Sequence, residues 1–303
     1  MISWNRRQTL TTAALTFGCF GLYFGLRALP VEPCDFLHYG DYVNAEGVIE
    51  GCGYEETGFF DLTTLRFPIL ARITPLTEAV PGRESTFELT LQTTTGRPIS
   101  FSEVAVSHTE RVHAMVVDPS LSDYHHIHPV NGGAPGTYHF TFTPERAGDY
   151  AVFLDFIPLQ NSRRTLLKAE FAVAGDSSAL PASASKLTHQ TEGFAFHLVP
   201  RAGERFQVGV ETQFSLEVEP LHDQDLVFAP VMDSYAHIVA FEPERRGFAH
   251  FHPLNPFIDT QDPRSPELDF VFSVDRPGYY RVWAQLVVNG QEQFIPFDLQ
   301  VEA

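Results

Sequence analysis

From residue 67 onward the chain alternates. In Thr86-Phe87-Glu88-Leu89-Thr90-Leu91-Gln92 apolar and polar positions exchange at every step, and Gln213-Phe214-Ser215-Leu216-Glu217-Val218-Glu219 does the same. A period of two is that of a half-buried β-strand. Turn signals such as Pro81-Gly82 and Thr95-Gly96-Arg97-Pro98 cut the chain into short strands. No amphipathic helical pattern follows residue 30.

The one long apolar run comes first, from about Leu10 to Leu29, behind Arg6 and Arg7. Positive charge ahead of an apolar stretch holds the N-terminus in the cytoplasm and sends the rest across. About 20 residues suffice to span a bilayer, and within the run only Arg27 is charged. The expectation is an uncleaved membrane anchor over residues 1–30, with a cleaved signal as second choice. Cys19 follows Leu15-Thr16-Phe17-Gly18, a poor match to a lipidation site, and Asn5-Arg6-Arg7-Gln8 weakly resembles a twin-arginine export signal. In the lead-in, residues 31–66, Cys34 and Cys52 are expected to close a disulfide in an oxidising compartment. Two free thiols or a metal pair are the alternatives.

A small, polar, aperiodic stretch at residues 175–186 reads as a linker. It separates residues 67–174 from residues 187–303, and the halves match each other. His113-Ala-Met-Val-Val-Asp118-Pro119 runs on to Tyr124-His125-His126-Ile127-His128-Pro129. His237-Ile-Val-Ala-Phe-Glu242-Pro243 runs on to Phe248-Ala249-His250-Phe251-His252-Pro253, without a gap. Downstream, Phe142 to Tyr150 matches Phe272 to Tyr280. The predicted fold is therefore all-β: two tandem immunoglobulin-like antiparallel β-sandwiches after an N-terminal membrane helix, a duplicated unit of the right size for that architecture.

Each copy carries one histidine on a strand and two more, at i and i+2, after a turn. Residues i and i+2 of a strand share a face. If the hairpin register sets the first histidine across from either of the others, three imidazoles converge, and a slip of one residue would break the set. His113, His126 and His128, and His237, His250 and His252, are thus two candidate metal sites. Neutral imidazole suits copper and zinc, and three of them leave a position open. The competing reading is structural, with imidazoles tying loop carbonyls at a strand corner. Met115 and the aligned pair His108 and Met232 are secondary candidates, with packing or incidental placement as the simpler account. His125, matched by Ala249, reads as a surface residue. Asp155 and Gln285 hold matching strand positions, from which they would orient imidazoles or bond backbone.

These motifs resemble a family of secreted bacterial immunoglobulin-like proteins, marked by a strand histidine, a His-x-His-Pro ending and a Gly-x-Tyr strand continuing in a Leu-Asp-Phe-like sequence. Here that strand is Gly148-Asp149-Tyr150 through Leu154-Asp155-Phe156. The second copy departs at Trp283-Ala284-Gln285-Leu286, with Gln in place of Asp. The resemblance implies copper or heavy-metal handling. A net charge of −18 repels nucleic acid and concentrates cations. The expected function is that of a periplasmic metal-binding protein tethered to the inner membrane, with copper as the ion and zinc as the alternative, serving sequestration or delivery. An adhesion or interaction module with a periplasmic protein partner comes second. A zinc or copper enzyme comes last, since the chain has no His-Glu-x-x-His helix, no Gly-x-Ser-x-Gly elbow, no Gly-rich nucleotide loop and no general base evident beside the triads.

Overall fold

The computed structural model describes residues 5–27, 42–43, 49–50, 58–177, 179–180, 184–255 and 258–303. The expected Cys34–Cys52 bond lies outside them. The chain divides into two units, Met1–Leu37 and His38–Ala303. In the first, helix α1 spans Arg6–Arg27. Asn5 opens it with a reciprocal cap: Gln8 N–H donates to Asn5 Oδ1 at 2.9 Å, and Asn5 N–H to Gln8 Oε1 at 3.0 Å. The helix forms where the apolar run predicts, but among the described residues no helix is long and apolar enough to cross a membrane. The expectation of a spanning anchor is corrected on that point. Thr9, Thr11, Thr12 and Thr16 and three glycines dilute the apolar side chains of α1. Cys19 is a free, exposed thiol on this helix.

The larger unit begins with a short ladder, β1 (Tyr42–Val43) against β2 (Ile49–Glu50), followed by β3 (Phe60–Asp61). One antiparallel sheet then holds β4 (Ile69–Pro75), β5 (Ser85–Thr93), β8 (Val130–Asn131) and β9 (Thr137–Phe142), in the order β4-β5-β9-β8. A second holds β6 (Val112–Val117), β7 (Tyr124–Ile127), β10 (Gly148–Phe156) and β11 (Thr165–Val173), in the order β11-β10-β6-β7. Phe87, Leu89 and Leu91 of β5 face Val112, Ala114 and Val116 of β6 and Tyr150, Val152 and Leu154 of β10 in one core. Two antiparallel sheets enclosing a core make a sandwich.

The architecture repeats. An outer sheet orders β12 (Thr188–Gln190), β13 (Phe194–Pro200), β14 (Thr212–Pro220) and β18 (Asp269–Phe272). An inner sheet contains β15 (Phe228–Ala229), β16 (His237–Phe241), β17 (Gly247–Phe251), β19 (Gly278–Val288) and β20 (Gln291–Val301). Here β16 and β15 lie along one edge of β19 and β20 along the other. Phe214, Leu216, Ile238, Ala240, Tyr280 and Val282 share the second core. In both copies a tyrosine hydroxyl turns back to the carbonyl four residues earlier, Tyr150 to Arg146 at 2.9 Å and Tyr280 to Arg276 at 3.0 Å.

Outer and inner sheets differ in a way that decides the site. Strand β5 alternates buried and half-buried positions, as a sheet with one wet face must. Every residue of β6, β16 and β17 is buried, so these strands are covered on both faces. One face meets its own core. The other meets the inner sheet of the partner sandwich. Tyr124 packs on Phe241 and Trp283 with ring centroids 5.6 Å apart in each case, and Phe153 on Phe241 and Phe248 at 5.5 and 5.2 Å. Trp283 Nε1–H donates across to the Leu121 carbonyl at 3.2 Å. The two sandwiches thus bury a shared aromatic seam.

Residues ahead of the first sandwich also join the second. Strand β3 pairs with β17, Phe60 opposite Phe248 and Asp61 opposite Gly247, and Asp61 pairs with Arg276 at 2.9 Å. The approach demands a glycine: a Cβ on Gly247 would lie 1.7 Å from the Phe60 carbonyl oxygen.

Candidate metal centre

The turns between β6 and β7 and between β16 and β17 set the histidine register. Asp118 accepts the backbone N–H groups of Ser120, Ser122 and Asp123 at 2.8–2.9 Å. Glu242 accepts those of Glu244, at 2.8 Å, and Arg246. Each acidic residue wraps the short connection that its proline begins, Pro119 to Asp123 in one copy and Pro243 to Arg246 in the other. The ladders that follow pair Ala114 with Ile127 and Met115 with His126 in one copy, Ile238 with Phe251 and Val239 with His250 in the other. Extending each ladder by one step sets His113 opposite His128 and His237 opposite His252, the in-register arrangement that convergence requires.

Both predicted triads come together. In each, one ring nitrogen from every histidine lies within 4.8 Å of the other two. They do not stand apart, as the reading of two separate hairpins implies. They meet in the seam between the sandwiches. Ring centroids of His126 and His250 are 5.3 Å apart, those of His113 and His250 5.9 Å, and those of His126 and His237 6.0 Å. Within the triads the spacing runs from 4.3 to 5.8 Å. The six imidazoles form one continuous cluster.

Their outward nitrogens are tied. His113 Nε2 lies 3.0 Å from the Ser107 carbonyl and His237 Nε2 2.9 Å from the Val231 carbonyl. A carbonyl can only accept, so each Nε2 carries the proton and each Nδ1 keeps its lone pair. The ties on His126 and His250 cross the seam. His126 Nδ1 lies 2.8 Å from Gln285 Oε1, whose amide nitrogen donates to Glu292 at 2.7 Å. That donation fixes the amide orientation, so His126 Nδ1 is a donor and Nε2 keeps the lone pair. His250 Nδ1 faces Asp155 Oδ2 at 3.6 Å, an ion-pair separation too long for a hydrogen bond. Arg164 grips Asp155 from the other side, with Nε 2.9 and 3.1 Å from its two oxygens. Gln285 therefore orients His126 by a hydrogen bond and Asp155 faces His250 as a charge, each acting on the histidine of the opposite sandwich.

The consequence is a pair of facing lone pairs. His113 Nδ1 and His126 Nε2 are 3.2 Å apart, and the outer bonds of both rings leave neither with a proton to share. Two acceptors at that distance repel unless a cation lies between. Two ligands on an ion with bonds of about 2.0–2.1 Å approach each other to roughly 3.3 Å. Among the described residues, His128 Nε2, His237 Nδ1 and His250 Nε2 are buried with no hydrogen-bond partner, a costly state for a polar atom. The donor set, neutral nitrogen throughout, fits a transition ion.

Burial and neighbouring imidazoles disfavour the charged form of five of the rings. Burial, then the neighbouring His250 and His128 imidazoles, hold His113 well below the ordinary histidine pKa. Burial and His250 do the same to His126 and bring His128 down to about 4. Burial and His252 depress His237. Burial lowers His250 too, against the opposing pull of Asp155. Burial works against ionisation of Asp155, but Arg164 and His250 outweigh it and hold the carboxyl well below its usual range.

The accessory residues fall out as follows. Met115 is fully buried on the histidine face of β6, opposite His126. His125, read as a surface residue, is half-buried: its Nε2 lies 2.8 Å from Asp123 Oδ1 and its ring packs on Phe142 at 4.7 Å. The aligned residues His108 and Met232 sit on matching tight turns, Ser107–Glu110 and Val231–Ser234. Their positive φ values, 47° and 49°, are shared by the residues that follow. His108 reaches the cluster, with its ring 4.1 Å from that of His252. The alignment of His108 with Met232 had marked it in the sequence as a secondary candidate, with incidental placement as the simpler account.

Among solved structures, the chain is similar to a protein of Corynebacterium diphtheriae described as membrane anchored, at 7% identity and a TM-score of 0.24, covering 77% of this chain and 59% of that one. It is also similar to fibronectin(III)-like modules of CbhA from Clostridium thermocellum, at 8% identity and a TM-score of 0.20, covering 76% and 93%. At these scores neither bears on function, and the chain spans less than two thirds of the Corynebacterium protein. No curated protein matches. One family model matches twice, over residues 71–174 and again over 189–303. The chain belongs to the family described as a domain of unknown function, DUF8832, and carries two copies of it.

Proposed function

We propose that this is an exported metal-binding protein, with copper as its ion and zinc as the alternative, whose six triad histidines hold metal between two immunoglobulin-like sandwiches. The observation that carries the reading is the 3.2 Å approach of His113 Nδ1 to His126 Nε2, both stripped of protons by their outer bonds. Copper leads because it tops the affinity order for divalent ions at nitrogen sites. The repeated tyrosine turn-back in each copy supports the immunoglobulin-like assignment, and the resemblance to secreted His-x-His-Pro proteins agrees with metal handling. Arg6 and Arg7 in the first turn of α1, ahead of its apolar run, favour a location outside the cytoplasm, where such a protein would sequester ions or hand them on.

An interaction module with structural histidines is the second reading, favoured by the carbonyl bonds of His113 and His237. Those bonds explain one nitrogen of each ring and leave the other, buried and proton-free, without a role. Elemental analysis of the purified chain, followed by titration of the stripped protein with copper and zinc at neutral pH, separates the two. Binding supports the metal reading; no binding of either ion ends it. A reporter fused after residue 303 tests location, and activity in the cytoplasm would refute export.

A further inference from the structure

We infer that the two sites are unequal: the second is a four-imidazole site in which His108, from the first sandwich, joins His237, His250 and His252, and it fills first. The inference rests on the metal reading above. The His108 ring lies 4.1 Å from that of His252 and 6.4 Å from that of His237. The His108 and His252 rings pack at 31°, and the His108 ring is also 6.3 Å from that of His113. His108 lies outside the three histidines whose nitrogens already stand within 4.8 Å of one another, so it would swing in from His252 on a bound ion. A three-histidine site leaves a fourth position open, and His108 is placed at the rim of this one.

The backbone presents it on a tight turn that both copies share. His108 and Thr109 form the two central positions of the Ser107–Glu110 turn, with φ of 47° and 70°. Positive φ at both positions is the tight hairpin geometry normally given to Asn and Gly, and a β-branched residue there is strained. The same turn supplies the Ser107 carbonyl that fixes His113. One strained turn thus orients a ligand of the first site and offers a ring to the second. The second site also has the charged backing, since its His250 faces the Asp155 carboxylate across 3.6 Å, while His126 of the first is hydrogen-bonded to a neutral amide at 2.8 Å. A carboxylate behind an imidazole raises its basicity toward metal. An added ligand and a charged support both favour the second site.

Zinc, which does no redox chemistry, serves as the probe. The full-length chain, stripped of metal, is titrated against a chromophoric competitor. Two steps are expected, with His252→Ala abolishing the tighter and His128→Ala the weaker. Both His108→Asn and His108→Gly, residues that accept positive φ, should weaken the tighter step at least roughly tenfold, the smallest loss that even an orienting partner produces. They should leave the weaker step in place. X-ray absorption at one equivalent of zinc should count four imidazoles in the wild type and three in either variant. Two steps that neither variant moves, or a loss confined to the weaker step, would overturn the inference while leaving metal binding intact. If the wild type takes up neither zinc nor copper, the function proposed above falls and this inference with it.

Discussion

Acidification should unfasten the metal-free protein before it reaches ordinary acid unfolding. His128 has a folded pKa of about 4 against 6.5 for an unperturbed histidine, and His113, His126, His237 and His250 are depressed in the same direction. A group whose folded pKa lies below its unfolded value binds fewer protons when folded. Its stabilising contribution is complete above about pH 6.5 and is lost as pH falls toward the folded value. For His128 the window of 6.5 to about 4 corresponds to about 3 kcal/mol. That is a large share of the 5–15 kcal/mol typical of a domain. With several imidazoles titrating together, the slope between pH 6 and 5 should exceed the ~1.4 kcal/mol per pH unit of a single proton. Urea unfolding of the Trp4→Phe chain leaves Trp283 as the sole tryptophan of two, and that ring lies in the seam. Its fluorescence, followed from pH 8 to 4 in chelator, reads the seam directly. His128→Gln should flatten the slope by about one proton, and zinc should move the loss to lower pH. Stability that is flat from pH 7.5 to 4.5 would refute the assignment of neutral, buried imidazoles.

Three further outcomes follow from the geometry. Gln285→Leu should weaken the site of the first sandwich about 10–100-fold, and Asp155→Leu that of the second; a loss at the site of the variant's own sandwich, read against His128→Ala and His252→Ala, would contradict the crossed support. Gly247→Ala should cost about 1–3 kcal/mol in thermal or urea unfolding, because the added methyl meets the Phe60 carbonyl of β3, and an unchanged midpoint would show that β3 is not docked. Trp283→Phe removes the bond to the Leu121 carbonyl and should cost about 1 kcal/mol; no change in urea midpoint would count against a closed seam.

The sequence was most readable where one face is wet. Strands β5 and β14 alternate because water lies on one side, and the gapless match of the two hairpins located all six triad histidines. The seam went unread, although Val112 to Val117 and Ala151 to Phe156 hardly alternate at all. Unbroken apolar runs mark strands covered on both faces, and the histidines standing inside such a run were the sign that a second body covers them. The crossed pairing of Asp155 and Gln285 could not be read from either copy alone, because strand spacing relates residues within a sheet and the contact runs between sheets. In α1 the length of the apolar run was given more weight than its threonines and glycines.

The crossed ties have the form of a twofold contact. Position 155 of one sandwich meets position 250 of the other, and the equivalent position 285 meets the equivalent position 126. That reciprocity belongs to isologous interfaces between identical subunits, here enclosed in a single chain. Joining the two halves by residues 175–186 makes their encounter intramolecular, so the seam closes at any protein concentration. A lone sandwich with the same hairpin would have no residue behind its central histidine, and would complete the centre only by pairing with a second copy of itself.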